Sequence, residues 1–257
     1  MRRSFLLPAL ASLALSAACS PATQGDAPAS AAPADYSPAI ADSRRPAADT
    51  ERDALRLPKQ VLEFTQVKKG DIVGDYLMGS GYWTRMLAPA VGETGKIYGF
   101  TADEFVAFRP AYADEQDAVI KDYDNVLKVR SPIAAPAFPE PLDLLLTVQN
   151  FHDLFIEQMP NGTGAKAVKA FYDALKPGGT LVVIDHSAPD GSGTSRTSEL
   201  HRIDRQFVID TLTAAGFVLD GSADFYARPD DPRDANVFAP TIRGKTDQFA
   251  LRFRKPI

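Results

Sequence analysis

The sequence predicts an α/β domain with a doubly wound, mostly parallel, seven-stranded sheet whose last strand is antiparallel. Three observations carry this. Short apolar runs alternate with helical patterns from residue 71 to residue 217, the order a parallel sheet covered on both faces requires. Two of those runs, Leu142–Val148 and Thr180–Ile184, are almost wholly apolar, as strands buried on both faces must be. The final pair, Phe217–Phe225 and Phe249–Phe253, has no helical pattern between its members and so pairs as antiparallel neighbours.

In order, Asp49–Leu57 reads as a helix, and Pro58 ends it or opens a second that runs to Phe64. Asp71–Tyr76 is the first strand. Gly79-Ser80-Gly81 and a helical pattern from Tyr82 to Ala90 follow. Lys96–Phe100 and Asn125–Val129 are the second and third strands, with a helix near Ala113–Tyr123 between them. Ala165–Leu175 is helical and stops at Lys176-Pro177-Gly178-Gly179. Asp204–Ala215 is helical, with Gly216 suited to its C-terminal cap. The polar stretch Ala227–Gln248 is long for a hairpin connection, and long loops of this kind in compact domains often carry function.

Residues 46–257 are therefore the folded domain, and the start of the chain is of another kind. Met1-Arg2-Arg3 is positive, Phe5–Leu15 is apolar, and small residues lead to Cys19, the only cysteine. This is a secretory signal layout, too short for a permanent membrane span. It resembles a bacterial lipoprotein signal, which implies lipidation of Cys19 and a periplasmic, membrane-anchored protein; a plain cleaved signal, cut near Ala17 or Ala18, is the alternative. Ser16 stands where that signal commonly has leucine. Residues 1–19 are thus read as the signal. Residues 20–45, rich in Ala, Pro, Ser and Asp without apolar periodicity, are read as a flexible tether. A net charge of −5 gives no sign of a nucleic-acid partner, and one cysteine excludes an intrachain disulfide or a cysteine-based zinc cluster.

The segment Val73-Gly74-Asp75-Tyr76-Leu77-Met78-Gly79-Ser80-Gly81 resembles the first motif of the class I S-adenosylmethionine-dependent methyltransferases. Leu175–Leu181 (Leu-Lys-Pro-Gly-Gly-Thr-Leu) and Ala214-Ala215-Gly216-Phe217 resemble the turns before that family's fifth and sixth strands. Gln149–Asp153, Asp185-His186-Ser187 and Arg243–Asp247 further resemble a group of bacterial predicted methyltransferases. The resemblance implies the Rossmann-like methyltransferase fold, S-adenosylmethionine as cofactor and a small-molecule acceptor. It implies a cofactor site at Asp75, Gly79, Ser80, Gly81 and Asn150. Two positions depart from the motif. Leu77 replaces its first glycine, and Phe100 and Thr101 stand where an acid normally binds the ribose; Asp103 or Glu104 could substitute from a shifted loop.

Three histidines each have an aspartate nearby: His152-Asp153 after the fourth strand, Asp185-His186 ending the fifth, and His201 with Asp204 before the next helix. Parallel topology brings all of them to the carboxyl edge of the sheet, where such folds bind ligands. His152, Asp153, His186 and His201 are the candidate catalytic residues. A histidine could act as a general base oriented by its aspartate, the groups could bind a divalent ion, or each pair could be local structure, with Asp204 capping a helix. No metal-ligand set is singled out. Arg243 and Lys245 could meet an anionic substrate group from the long loop. Tyr82 and Trp83 read as helix-face packing. Methyl transfer, ligand binding without methyl transfer, and metal-dependent chemistry all remain open.

Overall fold

Leu144, Leu145 and Leu146 on one strand and Leu181–Ile184 on its neighbour are at most 2% exposed, and they form the middle of the sheet. Successive side chains of a strand point to opposite faces, so each strand feeds two cores. Leu145, Leu181 and Val183 join Phe171, Val208, Leu212 and Phe217 on one face. Leu144, Leu146, Val182 and Ile184 join Val61, Leu62, Met86 and Leu87 on the other. Removing one of these leucines to alanine would cost about 2–5 kcal/mol.

The structure is a computed structural model and describes every residue except 2–33; the signal, Cys19 and the first part of the proposed tether lie outside the described residues. Four short helices open the described chain: α1 (Ser37–Ile40), α2 (Ala47–Thr50), α3 (Asp53–Arg56) and α4 (Pro58–Thr65). Then come β1 (Ile72–Tyr76), α5 (Thr84–Val91), β2 (Lys96–Ala102), α6 (Asp103–Phe108), α7 (Ala111–Lys121), β3 (Val126–Ser131) and β4 (Leu142–Val148). A 3₁₀ turn (Phe151–Phe155) precedes α8 (Thr163–Ala174) and β5 (Leu175–His186). The chain closes with α9 (Thr197–Leu200), α10 (Arg205–Ala214), β6 (Val218–Ala223) and β7 (Gln248–Arg254).

The strand order is β3-β2-β1-β4-β5-β7-β6. The pairs from β3 to β5 are parallel, and β7 is antiparallel to both of its neighbours. From β1 the chain first moves outward through β2 and β3, then returns to β4 on the other side of β1. The order thus reverses between β1 and β4, which leaves a crevice above their carboxyl ends. Asp75 on β1 lies opposite Gly99 on β2 and Leu146 on β4, so it stands near this crevice from the start.

The folded unit begins earlier than the composition suggests, which corrects the tether boundary at residue 45. Tyr36 is buried and its hydroxyl donates to the Val67 carbonyl at 2.7 Å. The Arg45 guanidinium is fully buried against Asp53 and also donates to the Ile40 carbonyl. Two anchoring side chains, rather than any periodic apolar face, hold residues 34–45. The sequence also missed α6, a short helix that starts directly from the end of β2.

Candidate active site

The crevice is a cavity of about 1000 Å³ at the carboxyl edge of the sheet, large enough for a cofactor-sized ligand. One wall is the loop between β1 and α5. Leu77, Gly79 and Gly81 all have left-handed backbones, with φ of 56°, 54° and 84°. Leu77 therefore takes up the conformation that a glycine would supply, at a strain cost of roughly 1–2 kcal/mol. Its side chain is 7% exposed and faces the cavity wall. Asn150 supports this strained residue: its amide donates to the Leu77 carbonyl at 3.2 Å and to the Val148 carbonyl at 2.9 Å.

The two glycines serve different needs. A Cβ on Gly79 would meet no atom within 4 Å, so the backbone there opens on free space. A Cβ on Gly81 would lie 2.4 Å from Val119, so this glycine lets α7 pack against the loop. Gly79, Ser80, Asp75 and Asn150 line the cavity; Gly81 sits behind it. The Asp75 carboxylate is buried and accepts from the Thr84 hydroxyl at 2.6 Å. Burial pushes its pKa up to about 7, against the opposing pull of Thr84 and of the Arg56 charge.

Asp103 is exposed and does not line the cavity. The acid that does is Glu104, one residue further into α6. One of its oxygens accepts from the Ile133 backbone N–H at 2.8 Å, which fixes the carboxylate at the end of β2. Of the two acids that the sequence offers at this strand-to-helix junction, the second reaches the cavity.

The opposite wall holds the histidines. Asp185, fully buried at the end of β5, accepts from the His152 ring at Nδ1, the His152 backbone N–H and the His186 backbone N–H, each at 2.8 Å. His152 then points Nε2 at His201 Nδ1, 3.2 Å away, and at an Asp153 carboxylate oxygen, 3.4 Å away. Burial alone would lower the His152 pKa, but the charge and hydrogen bond of Asp185 outweigh it and lift the value to about 9. A ring held protonated at neutral pH is a weak general base. Burial pushes Asp153 up to about 6, against the pull of His152. His201 is lowered by burial and then by the His152 charge.

His152, Asp153 and His201 therefore meet as the sequence suggested. His186 borders the same cavity, but its Nδ1 lies 2.8 Å from the Thr246 hydroxyl, and burial lowers its pKa to about 3. It is a neutral, anchored ring. Asp204 takes the local role, capping α10 by accepting from the Gln206 N–H at 2.8 Å. Tyr82 and Trp83 are buried as packing residues, and both also reach the cavity.

Arg243 and Lys245 are exposed and do not line the cavity; Val237 and Phe238 of the long loop do. The cavity arginines are Arg52 and Arg56, which the sequence reading missed. Their four-residue spacing puts them on one helical face, but nothing in a single sequence shows which way that face looks. Asp49 pairs with both Arg52 and Arg85, and the Tyr82 hydroxyl donates to Asp53 at 2.6 Å. These links tie α2 and α3 down onto the start of α5.

No protein-family model and no curated protein sequence matches the chain. Solved structures do. A SAM-dependent methyltransferase from Aquifex aeolicus is similar at a TM-score of 0.54 and 22% identity, covering 80% of this chain and 98% of the other. The fold is that of the class I methyltransferases. The N-methyltransferase NodS from Bradyrhizobium japonicum has the same TM-score at 17% identity, covering 80% of this chain and 97% of its own. The [4+2]-cyclase SpnF also has it, at 19% identity, with coverage of 79% and 81%. At these identities the likeness speaks for fold, and fold alone does not assign chemistry.

Proposed function

We propose that the protein is an S-adenosylmethionine-dependent methyltransferase acting on a small-molecule acceptor. The observation that carries this reading is the left-handed path of Leu77, Gly79 and Gly81 above the crevice. Backbone of that shape lets a ligand approach the loop closely, and the open space over Gly79 fits that use. Glu104 would hold the ribose hydroxyls through its free oxygen. Asp75 would face the amino group of the methionine moiety and Arg56 its carboxylate. When bound, the cofactor supplies a methyl group on a positively charged sulfur. His152, Asp153 and His201 form the acceptor side and orient the acceptor's nucleophile. Phe238 and Phe108 edge the cavity and, in closing over a ligand, would exclude water.

Calorimetric titration with S-adenosylhomocysteine tests the reading. Micromolar binding is expected, with Glu104→Gln weaker by at least about tenfold, the cost of roughly one charge-assisted hydrogen bond. Absence of binding at millimolar ligand sinks it. A second reading, ligand binding without methyl transfer, is supported by the export signal, since a periplasmic domain has no evident cofactor supply. The likeness to a [4+2]-cyclase fits it too, since cyclisation is not methyl transfer. In either case we propose a lipid anchor at Cys19 and a periplasmic location, supported by the small residues before that cysteine. Radiolabelled palmitate incorporation, lost in Cys19→Ser, checks it.

A further inference from the structure

Three donor atoms from two distant segments meet on the acceptor wall. His152 Nε2 is 3.2 Å from His201 Nδ1 and 3.4 Å from an Asp153 carboxylate oxygen, and that oxygen is 3.9 Å from His201 Nδ1. The point equidistant from the three lies about 2 Å from each, which matches zinc bonds to imidazole and carboxylate of roughly 2.0–2.2 Å. We infer that His152, Asp153 and His201 bind one divalent transition-metal ion of the zinc class.

Three further features fit an ion here. Asp185 bonds the other ring nitrogen of His152 at 2.8 Å, which is the carboxylate–histidine–metal arrangement that fixes the ring and directs Nε2 at the ion. The ion takes the place of a proton at Nε2. Asp153 is 9% exposed, and among the described residues its carboxylate pairs only with these two imidazoles, with no lysine, arginine or backbone N–H. A cation supplies the partner such a buried charge needs. His201 holds its place by a left-handed backbone, φ 53°, and by edge contact with the Phe238 ring at 4.9 Å.

Two imidazoles and one carboxylate select against magnesium and calcium, which favour oxygen donors. Three protein ligands also leave a coordination position open. All three ligands line the cavity, so an oxygen or sulfur donor of the acceptor could complete the shell from there. This ion site does not rest on the cofactor reading, because none of its ligands belongs to the glycine loop.

The untagged full chain, stripped with chelator, is titrated with zinc chloride and in parallel with magnesium chloride. One zinc ion per chain with micromolar or tighter affinity is expected, and no magnesium binding. Asp153→Asn and His201→Gln should each weaken zinc by at least about tenfold, and Asp185→Asn by about 10–100-fold, with circular dichroism showing each variant folded. Lys128→Ala, on the exposed edge strand β3, should bind zinc as the parent does. Substoichiometric zinc in the folded parent, or unchanged affinity in both Asp153→Asn and His201→Gln, overturns the proposal. S-adenosylhomocysteine titrated into the same zinc-free sample separates the two readings. Zinc without the nucleoside leaves the ion site standing and removes the methyltransferase reading; the nucleoside without zinc does the reverse.

Discussion

The two walls of the cavity are made by different physics. The β1–β2 side is shaped by backbone: three left-handed residues, a glycine under Val119, and a strand end that hands directly into α6. The β4–β5 side is shaped by buried charge: Asp185 holds His152, and His152 meets Asp153 and His201. A backbone wall tolerates side-chain change wherever φ and space allow, as Leu77 shows. A charge wall tolerates little, because an unpaired buried ion costs several kcal/mol. Substitutions should therefore fall hardest on the second wall.

Asp185→Ala is the strongest way to break that contrast. It leaves two backbone N–H groups and one buried ring without their acceptor. A loss of about 3–5 kcal/mol is expected, read from urea denaturation; a loss under about 1 kcal/mol would show that the charge wall is held by packing alone.

Asp75 is the exception on the backbone wall, a buried carboxylate facing Thr84 and Arg56. Its folded pKa is raised from the ordinary 3.8 to about 7. Below the lower value both folded and unfolded chains hold the proton, so the group has no effect. As pH rises from about 4 to about 7 the unfolded chain releases a proton that the folded chain keeps, and stability falls. Above that window the loss is complete. Asp75→Asn removes the titration, so its stability relative to the parent should grow by on the order of 3–4 kcal/mol from pH 4 to pH 8. Melting curves of both proteins across that range check it, and a constant difference would contradict the buried-acid reading.

Gly81→Ala probes the backbone directly. Its φ of 84° and the 2.4 Å approach of Val119 to an added Cβ act together. Left-handed strain of about 1–2 kcal/mol and overpacking of about 1–3 kcal/mol should combine to roughly 2–4 kcal/mol. Pairing it with Val119→Ala should recover the packing part and leave the strain, which a double-mutant cycle resolves.

The division between the walls also explains what was legible in the sequence. Seven strands and the antiparallel end could be read because apolar runs such as Leu142–Val148 repeat a local pattern. The glycine loop could be read because left-handed backbone favours a residue type. The convergence of His152 and His201, 49 residues apart, followed from topology alone. Other features depend on single distant partners and leave no periodic trace. Residues 34–45 fold because Tyr36 finds Val67 and Arg45 finds Asp53. Arg52 and Arg56 enter the cavity because Asp49 and Asp53 tie their helices to Arg85 and Tyr82. On the long loop it is Val237 and Phe238 that reach the cavity, while Arg243 lies over the Phe238 ring and Lys245 is exposed.

The smallest expected effect tests the finest of these distinctions. Asp103 and Glu104 are adjacent acids at the start of α6, where one helical step turns a side chain by about 100°. Asp103 is exposed and Glu104 faces the cavity with one oxygen held by Ile133. Asp103→Asn should change stability by less than about 0.5 kcal/mol, as surface substitutions do, and leave S-adenosylhomocysteine affinity unchanged. Glu104→Gln should weaken that affinity while altering stability little, since the amide oxygen can still accept from Ile133. Equal weakening by the two variants would mean that charge near the end of β2 matters and its placement does not. Weakening by Asp103→Asn alone would mean that α6 rotates by one residue when ligand binds.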